Sequence, residues 1–141
     1  MNNSTDLNID KNSYPTAGQL ERNISQKVSA LYRSQFGHQP SKVDCHLLGN
    51  KVVISLENVM TPVEKLLAQT HSSNLREQIC NFVSETIKPK LQELIEEISQ
   101  VNVTLCLYDT SVEADYAGAI VVLADAPQTR MSKSALKRRR Y

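Results

Sequence analysis

The sequence predicts an α+β fold in two layers, in which a four-stranded, mainly antiparallel sheet packs against two main helices. Apolar residues recur at helical spacing in two long segments. Two pairs of shorter segments resemble strands, because their apolar residues either alternate with polar ones or form a continuous run. The order is αββ followed by ααββ, so the second half repeats the first. Helices on one face leave the other face of the sheet open, and an open face or edge favours association. We therefore expect a homo-oligomer, most simply a dimer.

The composition is that of one globular domain with two polar ends. The chain has 141 residues, of which 40% are hydrophobic and 22% are charged, so it is too short for two ordinary domains. We predict a disordered leader over residues 1–15, a single domain over 16–127 and a basic disordered tail over 128–141. The sequence lacks both an apolar run of about eighteen residues and a secretion signal, which predicts a cytoplasmic protein without a transmembrane segment.

The first helix is predicted to begin after Thr16 and to end near Gly37. Thr16 and Gln19 have the spacing of a capping box, in which two side chains bond each other's backbone NH groups. Gly37 suits the left-handed conformation that ends many helices, and Pro40 disfavours further helix. One face of this helix is apolar and comprises Leu20, Ile24, Val28, Leu31 and Tyr32.

A β-hairpin and a second helix are predicted next. Alternating apolar residues over 43–47 mark one strand, and a continuous apolar run over 52–56 marks the other. Gly49 and Asn50 lie between them and suit a tight turn, because both residues accept positive φ. Residues 61–64 then provide an N-cap hydroxyl, a proline at the first helical position and a glutamate that completes a capping box.

The longest helix is predicted over residues 74–100, and a second pair of strands follows it. Asn74 is its expected N-cap, while Pro89 predicts either a kink or two abutting helices. An apolar run over 119–123 predicts the fourth strand. The third strand is predicted to be half-buried, because apolar Val101, Val103, Leu105 and Leu107 alternate with Asn102, Thr104 and Cys106.

Residue types that serve catalysis are present, but they form no catalytic or metal-binding pattern. The sequence contains no GxSxG, no Gly-rich phosphate loop and no CxxC, and its histidines are far apart. We therefore predict no enzymatic activity, no cofactor and no metal ion, and we interpret the three cysteines as reduced core residues. The histidines are His38, His46 and His71, and the cysteines are Cys45, Cys80 and Cys106.

The charge distribution makes the C-terminal tail the first candidate binding segment. The formal net charge is +1, yet residues 129–141 carry six basic and no acidic side chains, which leaves residues 1–128 at −5. Such a tail attracts the phosphates of nucleic acid or of an anionic membrane surface, although a solubilising disordered end accounts for it equally well. Its basic residues are Arg130, Lys133, Lys137, Arg138, Arg139 and Arg140.

A pair of loops is the second candidate site. Polar residues at a helix N-terminus can bind an anion or a protein partner. Helix capping is the simpler explanation for the residues at the start of the second helix. The candidate residues are Gly37, His38, Gln39 and Pro40 in one loop, and Thr61, Pro62, Glu64 and Lys65 in the other.

The order of these segments and two short motifs resemble a known family. Residues 61–67, TPVEKLL, are similar to a TPxEKxL-type motif, and residues 37–40, GHQP, stand where that family commonly has a Gly-x-Gly-Pro-like turn. Gln39 replaces the second glycine. Over residues 17 to 127 the chain resembles the MpsC family, the small third component of a sodium-translocating system that generates membrane potential.

The resemblance implies a soluble accessory protein that works beside a membrane complex for ion or inorganic-carbon uptake, at the inner face of the membrane. It implies no catalytic residues. Two other interpretations stay open at this stage. The basic tail would make the chain a nucleic-acid-binding protein, and the two loops would make it a sensor of a small ligand.

Overall fold

The computed structural model describes residues 13–69 and 73–131. Its four strands form one antiparallel sheet in the order β1-β2-β4-β3. The predicted α+β fold and the αββ-ααββ order are therefore confirmed. The elements are α1 (Ala17–Phe36), β1 (Lys42–Leu48), β2 (Lys51–Glu57), α2 (Pro62–Ala68), α3 (Ser73–Ser99), β3 (Val103–Ser111) and β4 (Tyr116–Leu123).

The sheet consists of two hairpins joined through their second strands, so β2 and β4 lie in the centre. Gly49 has a φ of 64° in the turn between β1 and β2, a conformation that glycine adopts without steric cost. The loop between β3 and β4 uses residues 112–115 instead of a two-residue turn. Because the hairpins pair through β2 and β4, the outer strands of the sheet are β1 and β3.

The core lies between one face of the sheet and the helices α1 and α3. The capping box at Thr16 and Gln19 is present, and α1 ends at Gly37 with a φ of 67°, as the sequence predicts. The apolar face of α1 is buried as expected. Core residues include Ile24, Val28 and Tyr32 from α1, Ile54 and Leu56 from β2, Ile87, Leu91 and Ile95 from α3, and Val121 and Leu123 from β4.

The side chains of β3 that face the core differ from those that the sequence predicts. The apolar alternation predicts that Leu105 and Leu107 are buried. The strand begins at Val103, and its pairing with β4 shifts register between Val103 and Leu105. One extra residue moves every later side chain to the opposite face. Tyr108 is consequently buried, whereas Leu105 is 47% exposed and Leu107 is 52% exposed.

The helix α3 is continuous from Ser73 to Ser99 with Pro89 inside it, so it is one helix and not two. Its 27 residues span about 40 Å. Strands of seven to nine residues span only about 23–30 Å. The N-terminal turns of α3 therefore extend past the sheet, which accounts for the exposure of Leu75. Phe82 is exposed for a different reason. The next residue, Val83, is buried in line with Ile87, Leu91 and Ile95, so Phe82 lies beside the buried stripe of the helix.

Carboxylates from the helices bind backbone amides of both outer strands. Glu21 of α1 accepts a hydrogen bond from the NH of Leu47 in β1 at 2.7 Å. Glu96 of α3 accepts one from the NH of Val103 in β3 at 2.8 Å. Such contacts hinder the pairing of an outer strand with another chain.

Within the described part of the chain, none of the helices is both long and apolar enough to cross a membrane.

Candidate functional site

Three loops meet at one end of the sheet, where β1 and β4 begin and β2 and β3 end. Lys42, Glu57, Tyr116 and Ser111 stand side by side across the four strands at this end. The ring of His38 donates a hydrogen bond from Nε2 to the carbonyl oxygen of Asn58 at 2.8 Å. The structure therefore brings the loop at residues 37–40 next to the segment that leads into α2.

The start of α2 is held by the capping box that the sequence predicts. Thr61 Oγ1 accepts from the NH of Glu64 at 3.2 Å, and Glu64 Oε1 accepts from the NH of Thr61 at 3.1 Å. The Thr61 hydroxyl also donates to Glu64 Oε1 at 3.0 Å. Glu64 is only 8% exposed, so its carboxylate faces its own helix start and the core more than the solvent.

Asp115, which the sequence analysis does not select, connects two of the three loops. Its Oδ1 accepts from the NH of buried Met60 at 2.8 Å, and its backbone oxygen accepts from the NH of Asn58 at 2.9 Å. Its Oδ2 lies 3.6 Å from Lys65 Nζ. Asp115 and Asn58 have positive φ, 53° and 59°, which Asp and Asn tolerate better than most residues. The sequence feature that could have indicated Asp115 is its place near the end of the acidic segment 109–116, between two strands.

The predicted site residues divide into a buried and an exposed set. Pro40 and Glu64 are buried, and Gly37, His38 and Thr61 hold the loops through the bonds given above or end a helix. Gln39, Pro62 and Lys65 are exposed. Beside them on α2, Val63 and Leu66 are 61% and 63% exposed. We call Pro62, Val63, Lys65 and Leu66 the outer face of α2.

Two tyrosines form a buried polar pair in the core. The hydroxyl groups of Tyr32 in α1 and Tyr108 in β3 are hydrogen-bonded to each other. Burial, followed by the neighbouring Tyr108 and more weakly Glu64, raises the pKa of Tyr32 far above its usual range. Burial also raises the pKa of Tyr108 to about 12. Both phenols are therefore neutral at physiological pH and satisfy each other.

Comparison with known protein families shows the family of this chain. Residues 16–125 match the family described as "Na+-translocating membrane potential-generating system (MpsC)". The chain belongs to the MpsC family. The match covers all the helices and strands and both predicted loops. Comparison with curated proteins gave no significant match, and comparison with solved structures gave none either.

The cysteines of this MpsC-family chain are not activated thiols. Burial raises the pKa of Cys45 to about 12. Burial also raises the pKa values of Cys80 and Cys106, although Thr110 at Cys80 and Lys88 at Cys106 act in the opposite direction. A raised pKa keeps the thiol protonated and a poor nucleophile. Across residues 13–69 and 73–131, no three His, Cys, Asp or Glu side chains lie together as a metal site.

Most of the predicted polyanion-binding tail lies outside the described residues. Lys133, Lys137, Arg138, Arg139 and Arg140 all fall beyond Met131, so their predicted role stays a prediction. Arg130 is described. Its backbone NH donates to the carbonyl oxygen of Pro15 at 3.0 Å, and it forms an isolated parallel bridge with Thr16. Arg130 therefore runs beside the entry to α1.

Proposed function

We propose that this MpsC-family protein is a non-enzymatic accessory module that docks on the membrane assembly of an ion or inorganic-carbon uptake system. The observation that carries this proposal is the family match over residues 16–125, because the family is described by a sodium-translocating system. In this proposal the protein acts from the cytoplasmic side of the membrane. It contributes a binding surface and no catalytic group.

The geometry of the loop end favours a protein partner over a small ligand. The polar groups of His38, Thr61, Glu64 and Asp115 already bond to one another or to the loop backbones, so they stabilise the loops. What this end offers to solvent is the outer face of α2. It places two large apolar side chains, Val63 and Leu66, next to the cation of Lys65. Apolar contacts with a charged rim are typical of protein–protein interfaces.

The test is recovery of membrane subunits from native membranes. The full-length tagged protein is incubated with detergent-solubilised membranes of its own cells, and the recovered proteins are identified by mass spectrometry. We expect transport-system subunits to be enriched. Substitution of both apolar residues on α2, Val63→Asp with Leu66→Asp, is expected to abolish this enrichment, since a buried carboxylate without a partner is strongly unfavourable.

The control is Phe82→Asp on α3. Phe82 is 67% exposed and lies outside the outer face of α2, so this variant adds one negative charge at an exposed apolar position and should retain binding. The single variants Val63→Asp and Leu66→Asp, which add the same charge, are compared with it directly. Recovery of cytosolic proteins alone would refute the membrane role. Equal loss of binding in Phe82→Asp and in the α2 variants would refute the assignment of the contact to α2.

A further inference from the structure

The face of the sheet that points away from the helices is a complete four-by-four array of side chains. Strand register sets its rows, which run across β1, β2, β4 and β3. The first two rows are polar and the last two are mostly apolar. The rows are Lys42, Glu57, Tyr116 and Ser111; Asp44, Ser55, Gly118 and Asp109; His46, Val53, Ile120 and Leu107; and Leu48, Lys51, Val122 and Leu105.

The apolar half of this array is exposed to an unusual degree. Leu48 is 62% exposed, Leu107 is 52% exposed and Ile120 is 43% exposed. The shift of register in β3 is the cause for Leu105 and Leu107, because it turns both away from the core. Contiguous exposed apolar residues of this kind on a sheet mark a surface that another molecule covers.

A hollow lies beside the apolar rows. Its floor lies at Gly118 and Ser55, and its walls include Tyr116, Leu107 and Ile120. The charged residues Asp109 and Lys88, the latter from α3, also line it. The hollow encloses about 550 Å³ and is open to solvent. An aliphatic side chain from a facing surface would fill it.

We propose that the occupant of this face is a second copy of the chain, packed face to face with its strands antiparallel to those of the first. The two-fold axis then lies between the sheets and runs across the strands, so each strand faces itself in reverse. Ile120 lies over the hollow at the partner's Gly118, Val53 lies over the partner's Ser55, and Tyr116 lies over the partner's Val122. The interface is isologous, as in most homodimers.

The charges of the central strand β2 fit this arrangement. In the central strand β2, Lys51 comes to face the partner's Glu57, and symmetry makes this ion pair twice. On the outer strands the same axis sets Lys42 opposite the partner's Leu48, Asp44 opposite the partner's His46 and Asp109 opposite the partner's Leu107. These positions are at the sides of the interface, where a charged group can stay solvated. Apolar contact is therefore concentrated on the central strands, at Val53, Ile120 and Val122.

The state of the sheet edges favours association through the face, and the size of the face limits the strength of such a dimer. Four strands of seven residues cover about 19 Å by 24 Å, or about 450 Å² of sheet plane per copy. Two copies together bury about 900 Å², which is below the roughly 1,000 Å² that stable specific interfaces exceed, so this area supports only a weak dimer. The carboxylates of Glu21 and Glu96 bind outer-strand amides, which leaves the face and not the edge for association. We expect a dimer that dissociates in the micromolar range.

The first experiment measures the oligomeric state of the full chain by sedimentation velocity from micromolar to millimolar concentration. The expected result is a concentration-dependent dimer that Ile120→Glu abolishes and Phe82→Glu retains. Phe82 is 67% exposed on α3, so it controls for loss of an apolar surface residue. Circular dichroism checks that each variant is folded. A chain that is monomeric throughout, or a dimer that persists in Ile120→Glu, would overturn the proposal.

The second experiment separates this arrangement from unspecific association. Lys51→Glu and Glu57→Lys are each expected to weaken the dimer at least tenfold, and the double exchange is expected to restore it. Absence of rescue would overturn the antiparallel arrangement. If the chain is monomeric and sediments with phosphatidylglycerol vesicles, and the Ile120→Glu variant does not, the face binds a lipid surface instead. The dimer is independent of the proposed membrane role, since recovery of membrane subunits tests only the latter.

Discussion

Replacement of Asp115 by alanine is expected to lower the free energy of unfolding by about 3 kcal/mol. The substitution leaves the buried NH of Met60 without its acceptor at 2.8 Å, and loss of a charged acceptor at a buried donor costs about 1.5–3 kcal/mol. It also places alanine at a φ of 53°, which costs about 1 kcal/mol. The ion pair with Lys65 adds at most about 0.5 kcal/mol, because Lys65 is 53% exposed, Asp115 is 30% exposed and solvent screens the pair.

The assay is urea unfolding followed by circular dichroism, together with thermal melting. A loss of about 3 kcal/mol corresponds to a fall of about 10 °C in Tm for a domain of this size. Asp115→Asn retains an oxygen acceptor and tolerates positive φ, so it should lose about 1 kcal/mol or less. Asp115→Gly removes the acceptor, but glycine adopts the positive φ without strain. Its loss of stability should therefore lie between those of Asp115→Asn and Asp115→Ala.

Two results would show that Asp115 does not act through its hydrogen bond to Met60. If Asp115→Ala changes Tm by less than about 2 °C, Asp115 does not hold the loops together. If Asp115→Asn is as damaging as Asp115→Ala, the charge matters and the hydrogen bond to Met60 does not. Lys65→Ala should leave stability almost unchanged, which separates the ion pair from the backbone contact.

Two further outcomes follow from the core and the helix caps. Stability is expected to fall as the pH rises from about 9. Cys45 has a pKa of 9.0 in the unfolded chain and about 12 in the folded protein, and Tyr32 and Tyr108 have a pKa of 10.0 when unfolded and a higher one when folded, so all three lose their protons first in the unfolded state. Each group lowers the free energy of unfolding by up to about 1.4 kcal/mol per pH unit. Urea unfolding at about pH 8 and about pH 11 measures this, and Tyr32→Phe should reduce the slope; an unchanged slope would contradict it. Thr61→Ala removes the α2 cap and should cost about 1 kcal/mol in the same assay. Thr16→Ala, at the corresponding cap of α1, is the comparison, and no loss in either variant would show that the caps contribute nothing.

The local elements of this protein follow from the sequence, because their determinants are neighbours in the chain. Capping boxes at Thr16 and Thr61, the left-handed Gly37 and the turn at Gly49 all depend on residues within four positions of one another. The spacing of apolar residues then fixed which face of α1 is buried. The motif at residues 61–67 was specific enough to indicate the family that the match over residues 16–125 shows.

Only the tertiary structure decided three features: the order of the strands, which side chains of β3 face the core, and the role of Asp115 among the loops. A register shift between Val103 and Leu105 depends on how β3 pairs with β4, and an alternating apolar pattern looks the same on either face. Asp115 acquires its role only when the loop that carries it reaches Met60, 55 residues earlier in the chain. The apolar face of the sheet arises from the same pairing, since register across four strands brings Val53, Ile120 and Leu107 into one row.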